Sequence, residues 1–207
     1  MVDHQTRRSP APGERKRDPE RTKARIVEAA IAEFGAKGYA ATRISDIADR
    51  AGVNKQLISY YFGGKEGLYN EIARAWHQRG GEMMDPDQPL ADVVASFVMT
   101  TAEQRAQGKL MVWANLADGT PESGDAEFMR GQVARLAERQ AAGELPPDID
   151  PAFLMLVLMA AASAPLVLPQ VARQITGEDP ESPEFARRYA DQLARVVRHL
   201  SGGGAHG

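Results

Sequence analysis

ISDIADRAGVNKQLISYYFG, residues 44–63, reads as two short helices joined by a tight turn. Ile47, Ala48, Ala51, Val53, Ile58 and Tyr61 recur at helical spacing and are expected to face inward. Ala48 is small, as a close crossing of two helices requires. Gly52 stands at the joint, where a positive φ costs glycine little. This is the helix-turn-helix pattern, whose second helix is presented to the major groove of DNA. Asn54, Lys55, Gln56, Ser59 and Tyr60 point outward from that second helix. They can hydrogen-bond base edges and phosphates, and none is a carboxylate. Taken singly, each also reads as part of an ordinary solvated face.

Outward from this segment the helix punctuation continues. Asp18-Pro19 predicts an N-cap followed by proline at the first helical position. Ile26, Ala30 and Phe34, flanked by Val27 and Ile31, predict a supporting helix that ends at Gly38. Thr42 is expected to cap the next helix. Gly63-Gly64 breaks the chain before a longer helix from about Lys65, with Leu68, Ile72 and Trp76 as its stripe. Lys65 would then sit at a helix N-terminus, where its ammonium and the free backbone N–H groups both suit a phosphate. Gly80-Gly81 and residues 85–89 are read as a loop. Helices are expected over about 89–106, 109–118, 123–142, 150–176 and 183–200, and no segment alternates as a strand does. The fold class is therefore all-α: residues 19–65 a three-helix DNA-binding domain, 66–200 a helical domain. Residues 1–18 and 201–207 are read as tails.

Charge divides the same way. The chain of 207 residues carries a net charge of −3, which by itself argues against a nucleic-acid partner. Residues 1–65 hold 13 Lys+Arg and 8 Asp+Glu, whereas residues 66–207 hold 12 and 20. A basic module is thus joined to an acidic one. Residues 21–65 account for most of the excess, with 8 basic and 4 acidic side chains. Arg15, Lys16 and Arg17 in the N-terminal tail read either as a solvated tail or as an arm on DNA phosphates.

Other function classes find little support. With no cysteine there is no disulfide framework, thiolate metal site or thiol nucleophile. His4, His77, His199 and His206 form no metal-binding pair, and neither a metal nor a cofactor is expected. GGKEG at 63–67 lacks the spacing and the Ser/Thr of a phosphate-binding loop. A helical enzyme or a protein-binding adaptor remain the alternatives. The N-terminus lacks a secretory apolar core. The apolar stretch from Phe153 to Pro169 is interrupted by Ser163 and Pro165, so a cytoplasmic protein with no membrane partner is expected.

The run ARIVEAAIAEFGAKGYAATRISDIADRAGVNKQLISYYFGGKEGLY resembles the TetR family of transcriptional regulators over about residues 20–70. Tyr61-Phe62 followed by Lys65-Glu66 and Leu68 is more specific to that family than the helix-turn-helix itself. The resemblance implies a dimer on a palindromic operator, a small-molecule effector and repression, with activation as the alternative. It places Thr42, Arg43 and Lys65 at phosphate-contacting positions. Asn54, Lys55 and Gln56 match the start of the recognition helix, and Tyr60 and Tyr61 match its end. Ser59 and Gln56 depart from the residues common there, and Tyr61 reads either as a contact or as core.

The helical domain has no comparably specific motif. Phe97, Met99, Met111, Trp113, Asn115, Phe128, Met129, Met155 and Met159 suit an adaptable apolar effector pocket, or plain core. Glu103, Asp118 and Glu127 read as surface or as attraction for a cation. Residues 153–159 are apolar all round, so that helix is either central to the domain or covered by a partner subunit. The resemblance assigns the last two long helices to dimerisation, through Leu158, Ala162, Phe185, Tyr189, Leu193, Val196 and Leu200. The effector is expected to act by tilting the helix that begins at Lys65.

Overall fold

The computed structural model describes residues 18–85, 87–116 and 125–202. Both expected tails, apart from Asp18, Ser201 and Gly202, lie outside these residues, as does Asp118. The described chain is all-α: α1 (Pro19–Ala41), α2 (Ile44–Ala51), α3 (Lys55–Phe62), α4 (Lys65–Met83), α5 (Leu90–Glu103), α6 (Arg105–Leu116), α7 (Asp125–Ala141), α8 (Pro151–Val167), α9 (Pro169–Thr176) and α10 (Pro183–Gly202).

The expected caps at Asp18 and Asp150 form: each carboxylate accepts from two backbone N–H groups of its own first turn. At Gly38 the chain leaves helical dihedrals (φ 76°, ψ 165°) and then makes one further turn to Ala41. Thr42 therefore closes α1, and Arg43 takes the N-cap position of α2.

One core unites α1 to α3 with the first half of α4. Ile26, Phe34, Ile47, Ile58, Leu68 and Ile72 are buried together there. Leu110 of α6 joins the same cluster, so packing runs across the 65/66 boundary. Two glycines permit the closest approaches. A Cβ on Gly67 would stand 1.7 Å from the Phe62 carbonyl oxygen, and one on Gly35 would stand 2.4 Å from that of Ala106. Only glycine fits where α4 starts against the end of α3, and where α1 crosses α6.

The second core joins α5, α7, α8 and α10 through Leu90, Val94, Leu136, Leu154, Leu158, Ala194 and Val197. Polar contacts fix its corner. The Arg139 guanidinium donates to Asp85 O (2.6 Å) and pairs with Glu144 (2.7 Å), while Glu144 accepts from Leu90 N (2.7 Å).

Two expected boundaries are corrected. Gly80 and Gly81 lie inside α4, where Cβ positions 3.5 Å and 3.6 Å from the Phe128 ring show what their small size serves. The expected helix 150–176 is two helices, α8 and α9, bent by 85°. Pro169 disfavours helical dihedrals at Leu168, which sits at φ −122°, ψ 50°. Among the described residues no single helix is long and apolar enough to cross a membrane.

Candidate functional site

The α2–turn–α3 unit is held from behind. Gly52 closes α2 in the left-handed conformation (φ 62°), and Val53 N donates to Ala48 O at 3.0 Å. Glu33 of α1, almost fully buried, pairs with Arg50 of α2 (2.7 Å) and with Lys37 (2.7 Å), and Lys37 also reaches Asp46 (3.1 Å). Hydrogen bonds from Lys37 and then Arg50 hold the Glu33 carboxyl below the usual glutamate pKa, outweighing its desolvation. Lys37 likewise lowers the pKa of Asp46. Glu33 and Asp46 thereby stay ionised, each paired with a cation of α1 or α2.

The outward face of α3 is open. Lys55, Gln56, Ser59 and Tyr60 are exposed, Tyr60 by 79%. Asn54 is exposed and is the N-cap, its side-chain oxygen accepting from Gln56 N at 2.9 Å. Arg43 is exposed at the start of α2. Tyr61 is half-buried, packed on the α1–α3 core and edge-on to Tyr60 and Phe62, with Lys23 Nζ 5.8 Å from its ring centre.

Two expected phosphate contacts are placed differently. Thr42 is 2% exposed, and its hydroxyl lies 2.8 Å from Gly38 O and 3.2 Å from Glu33 O. That proton closes the irregular end of α1, so Thr42 is withdrawn from the surface. Lys65 folds back over Tyr39, its Nζ 4.3 Å from the ring centre and donating to Ala40 O at 3.3 Å. Burial lowers its pKa from the usual lysine value.

The expected pocket residues do not share one place. Met111 packs on the N-terminal core, and Trp113 lies 3.7 Å from the Cβ position of Gly38 on α1. Asn115 is exposed and donates to Met111 O at 2.7 Å, within its own helix. Met99 and Met155 pack on the cores around α5 and α8, and Met159 is exposed on α8. Met129 is half-buried on α7. Phe128 and Phe97 meet over Gly80, 3.5 Å and 3.7 Å from its Cβ position.

Phe128 leads to a site the sequence did not reveal. An open cleft of about 570 Å³ runs between α4 and α7, bordered by His77, Glu82, Glu127, Phe128, Gln132 and Arg135. His77 stacks on Phe128 at 4.9 Å and 22°. The spacing of His77, Gly80 and Gly81 along α4 was a faint signal for it. Of the three acids read as possible cation attractors, Glu127 borders this cleft, and Glu103 is exposed at the end of α5.

The expected dimer residues are mostly spent within the chain. Leu158, Ala162 and Phe185 are buried, and Leu193 packs on the α5–α8–α10 core. Tyr189 stacks on Phe185 and donates to Ala161 O at 2.8 Å. Leu200 is half-buried, and Val196 is exposed. Alanines explain the difference: the inward stripe of α10 is Phe185, Ala186, Ala190, Ala194 and Val197, and the larger side chains alone do not trace it. An uncovered apolar face lies on α8 and α9. Phe153 (69% exposed), Leu156 (65%) and Val157 (62%) point away from the core, and Leu168, Val171 and Ile175 continue the surface.

Known proteins match along nearly the whole described chain. The family model for bacterial regulatory proteins of the tetR family matches residues 26–72, and that for the tetracyclin repressor-like C-terminal domain matches residues 90–198. The chain is 33% identical over 194 residues to the HTH-type transcriptional repressor SCO4008 of Streptomyces coelicolor, covering 87% of this chain and 97% of that protein. It is 24% identical over 199 residues to the HTH-type transcriptional regulator RutR of Escherichia coli, covering 89% and 92%. The crystal structure of the transcriptional regulator SCO4942 from Streptomyces coelicolor superposes with a TM-score of 0.71 at 25% identity, covering 87% of this chain and 98% of that one. The helix-turn-helix, the helical domain packed behind it and these matches agree: the chain belongs to the TetR family of bacterial regulatory proteins and is a DNA-binding transcriptional regulator.

Proposed function

We propose that this protein is a cytoplasmic, effector-responsive repressor that binds a palindromic operator as a homodimer. The observation that carries the reading is the outward face of α3, where four neighbouring polar side chains are exposed without a carboxylate among them. In this reading residues 19–65 are the reader and residues 66–200 the effector and dimer domain. Gln56, Ser59 and Tyr60 meet base edges, with the amide of Asn54. Arg43 and Lys55 meet phosphates, joined by Lys65 once it swings from Tyr39. Repression is supported by the name of the Streptomyces relative.

The dimer surface in this proposal is the uncovered face of α8 and α9 with Val196 of α10. A two-fold axis there would set the two α3 helices one DNA turn apart, about 34 Å. A small molecule between the helices of the second domain would shift the equilibrium between two spacings of α3. It does so only by its differential affinity for them. Two elements carry that shift to the reader: α4, which begins against α3, and α6, whose Leu110 and Trp113 pack on α1.

The test is selection of bound duplexes from a random pool, then titration of the selected and a scrambled duplex at several salt concentrations. A repressor of this kind binds the selected duplex at least a thousandfold more tightly, with a steep salt dependence for both. Equal affinity for the two duplexes refutes the reading.

A further inference from the structure

Arg15, Lys16 and Arg17 immediately precede the described chain, and the contacts of α1 limit where they can reach. The acids that follow them are engaged within α1. The Asp18 carboxylate accepts from Glu20 N (3.1 Å) and Arg21 N (3.3 Å) as the N-cap, and Glu20 pairs with Lys23 at 3.0 Å. Glu71 of α4, which also acts on Lys23, is paired with Arg74 at 3.0 Å. Residues 1–17 themselves carry Arg7, Arg8, Arg15, Lys16 and Arg17 against only Asp3 and Glu14. The first turns of α1 are fixed beside the reader at two points. The Arg25 guanidinium donates to Ala51 O, at the turn between α2 and α3 (2.5 Å). Lys23 Nζ lies 5.8 Å from the ring centre of Tyr61, whose ring meets that of the exposed Tyr60 edge-on at 5.1 Å. Chain length sets the remaining limit: three residues span at most about 11 Å, so Arg15 stays that close to Asp18 in any conformation.

We infer that residues 15–17 make a second contact with DNA, on phosphates adjoining the groove that α3 enters. The partner is duplex DNA because these cations join α1 beside the end of α3, next to the exposed Tyr60. Duplex DNA carries one negative charge per about 1.7 Å of its axis, so the backbone continues past the base pairs that α3 meets. A cationic segment held near α1 reaches that backbone without recognising any base. The contact adds affinity and salt dependence, and no sequence preference. It goes beyond the α3 face described above, and it depends neither on an effector nor on which surface forms the dimer.

The test compares the full chain with a variant carrying Arg15→Ala, Lys16→Ala and Arg17→Ala. Both are titrated with the selected and the scrambled duplex at several salt concentrations. The variant is expected to bind each duplex at least tenfold more weakly at about 50 mM salt, by the same factor for both. Its slope of log affinity against log salt is shallower by about three units for each bound chain. Arg15→Lys with Arg17→Lys keeps the wild-type slope, because charge alone is required. Hydroxyl-radical footprinting on the selected duplex then shows sugars protected by the wild type and not by the alanine variant, next to those protected by both. An unchanged slope, a lysine variant that behaves as the alanine one, or a loss confined to the selected duplex overturns the inference. Identical footprints do so too, since a weaker affinity would then come from charge acting at a distance. The cap at Asp18 is retained, so the alanine variant melts as the wild type does; a lowered melting temperature would place these cations in the fold and overturn the inference. Selection of a duplex by the wild type tests α3 alone, so that result stands whichever way these comparisons fall.

Discussion

The outward faces of α3 and α8 are both uncovered in the single chain, yet their chemistry is opposite. On α3 the exposed side chains are Lys55, Gln56, Ser59 and Tyr60; on α8 they include Phe153, Leu156 and Val157. A polar face with donors, acceptors and no carboxylate is stable in water and gains by meeting phosphates and base edges. A face of large apolar side chains is costly in water, and gains about 1.5–3 kcal/mol for each such side chain it covers. The first suits a partner that is met and left. The second suits one that stays. A dimer that leaves DNA without coming apart, as proposed above, would need both kinds of face on one chain.

The sharpest way to break this comparison is to make the apolar face of α8 charged. Leu156→Asp, together with Val157→Asp, is expected to weaken self-association by a thousandfold or more, because a two-fold interface counts each substitution twice. Sedimentation equilibrium reads this directly, and operator affinity falls with it. A variant that sediments as the wild type does would place the dimer contact elsewhere.

Within the reader, Lys55 and Thr42 make a matched pair. Lys55→Ala is expected to weaken binding to every duplex by about tenfold and to reduce the salt slope by roughly one unit. Thr42→Val is expected to leave the slope unchanged and to cost about 1 kcal/mol of stability, since its hydroxyl serves carbonyls of α1. Duplex titration at several salt concentrations, with thermal unfolding, distinguishes them. A lower slope in Thr42→Val would return that residue to the DNA surface.

The smallest expected effect is on pH dependence. The depressed pKa of Glu33 contributes stability above the ordinary glutamate value of about 4.3, and that contribution is lost as pH falls through the folded-state value. Glu33→Gln is expected to cost about 1 kcal/mol at neutral pH, a modest figure because Lys37 and Arg50 are about half exposed, and to cost less in acid. Denaturant unfolding from pH 7 to pH 3 checks this; an unchanged difference across that range would remove Glu33 from the account.

Legibility in the sequence followed the range of the interactions. Asn54 at a helix start, Gly52 at a turn and Ile47 with Ala48 on one face are matters of a few residues, and all lie where their spacing indicates. The burial of Thr42 was not legible because its hydroxyl closes on Gly38 O and Glu33 O, across the irregular step at Gly38. Met111 and Trp113 were read as pocket residues by type, and their packing against the N-terminal core and Gly38 of α1 was not legible from spacing. The stripe of α10 was traced through its large side chains, whereas close packing on α5 uses alanines.

By itself the amino-acid sequence determined an all-α chain, the position of the helix-turn-helix and the separation of a basic reader from an acidic domain, because periodicity, caps and charge are local properties. Only the tertiary structure decided which side of α8 stays uncovered, that α6 packs on the reader beside α4, and that Gln132 shares a cleft with His77 and Phe128. Each depends on which helices meet and at what angle. A residue's own neighbours in sequence do not specify that.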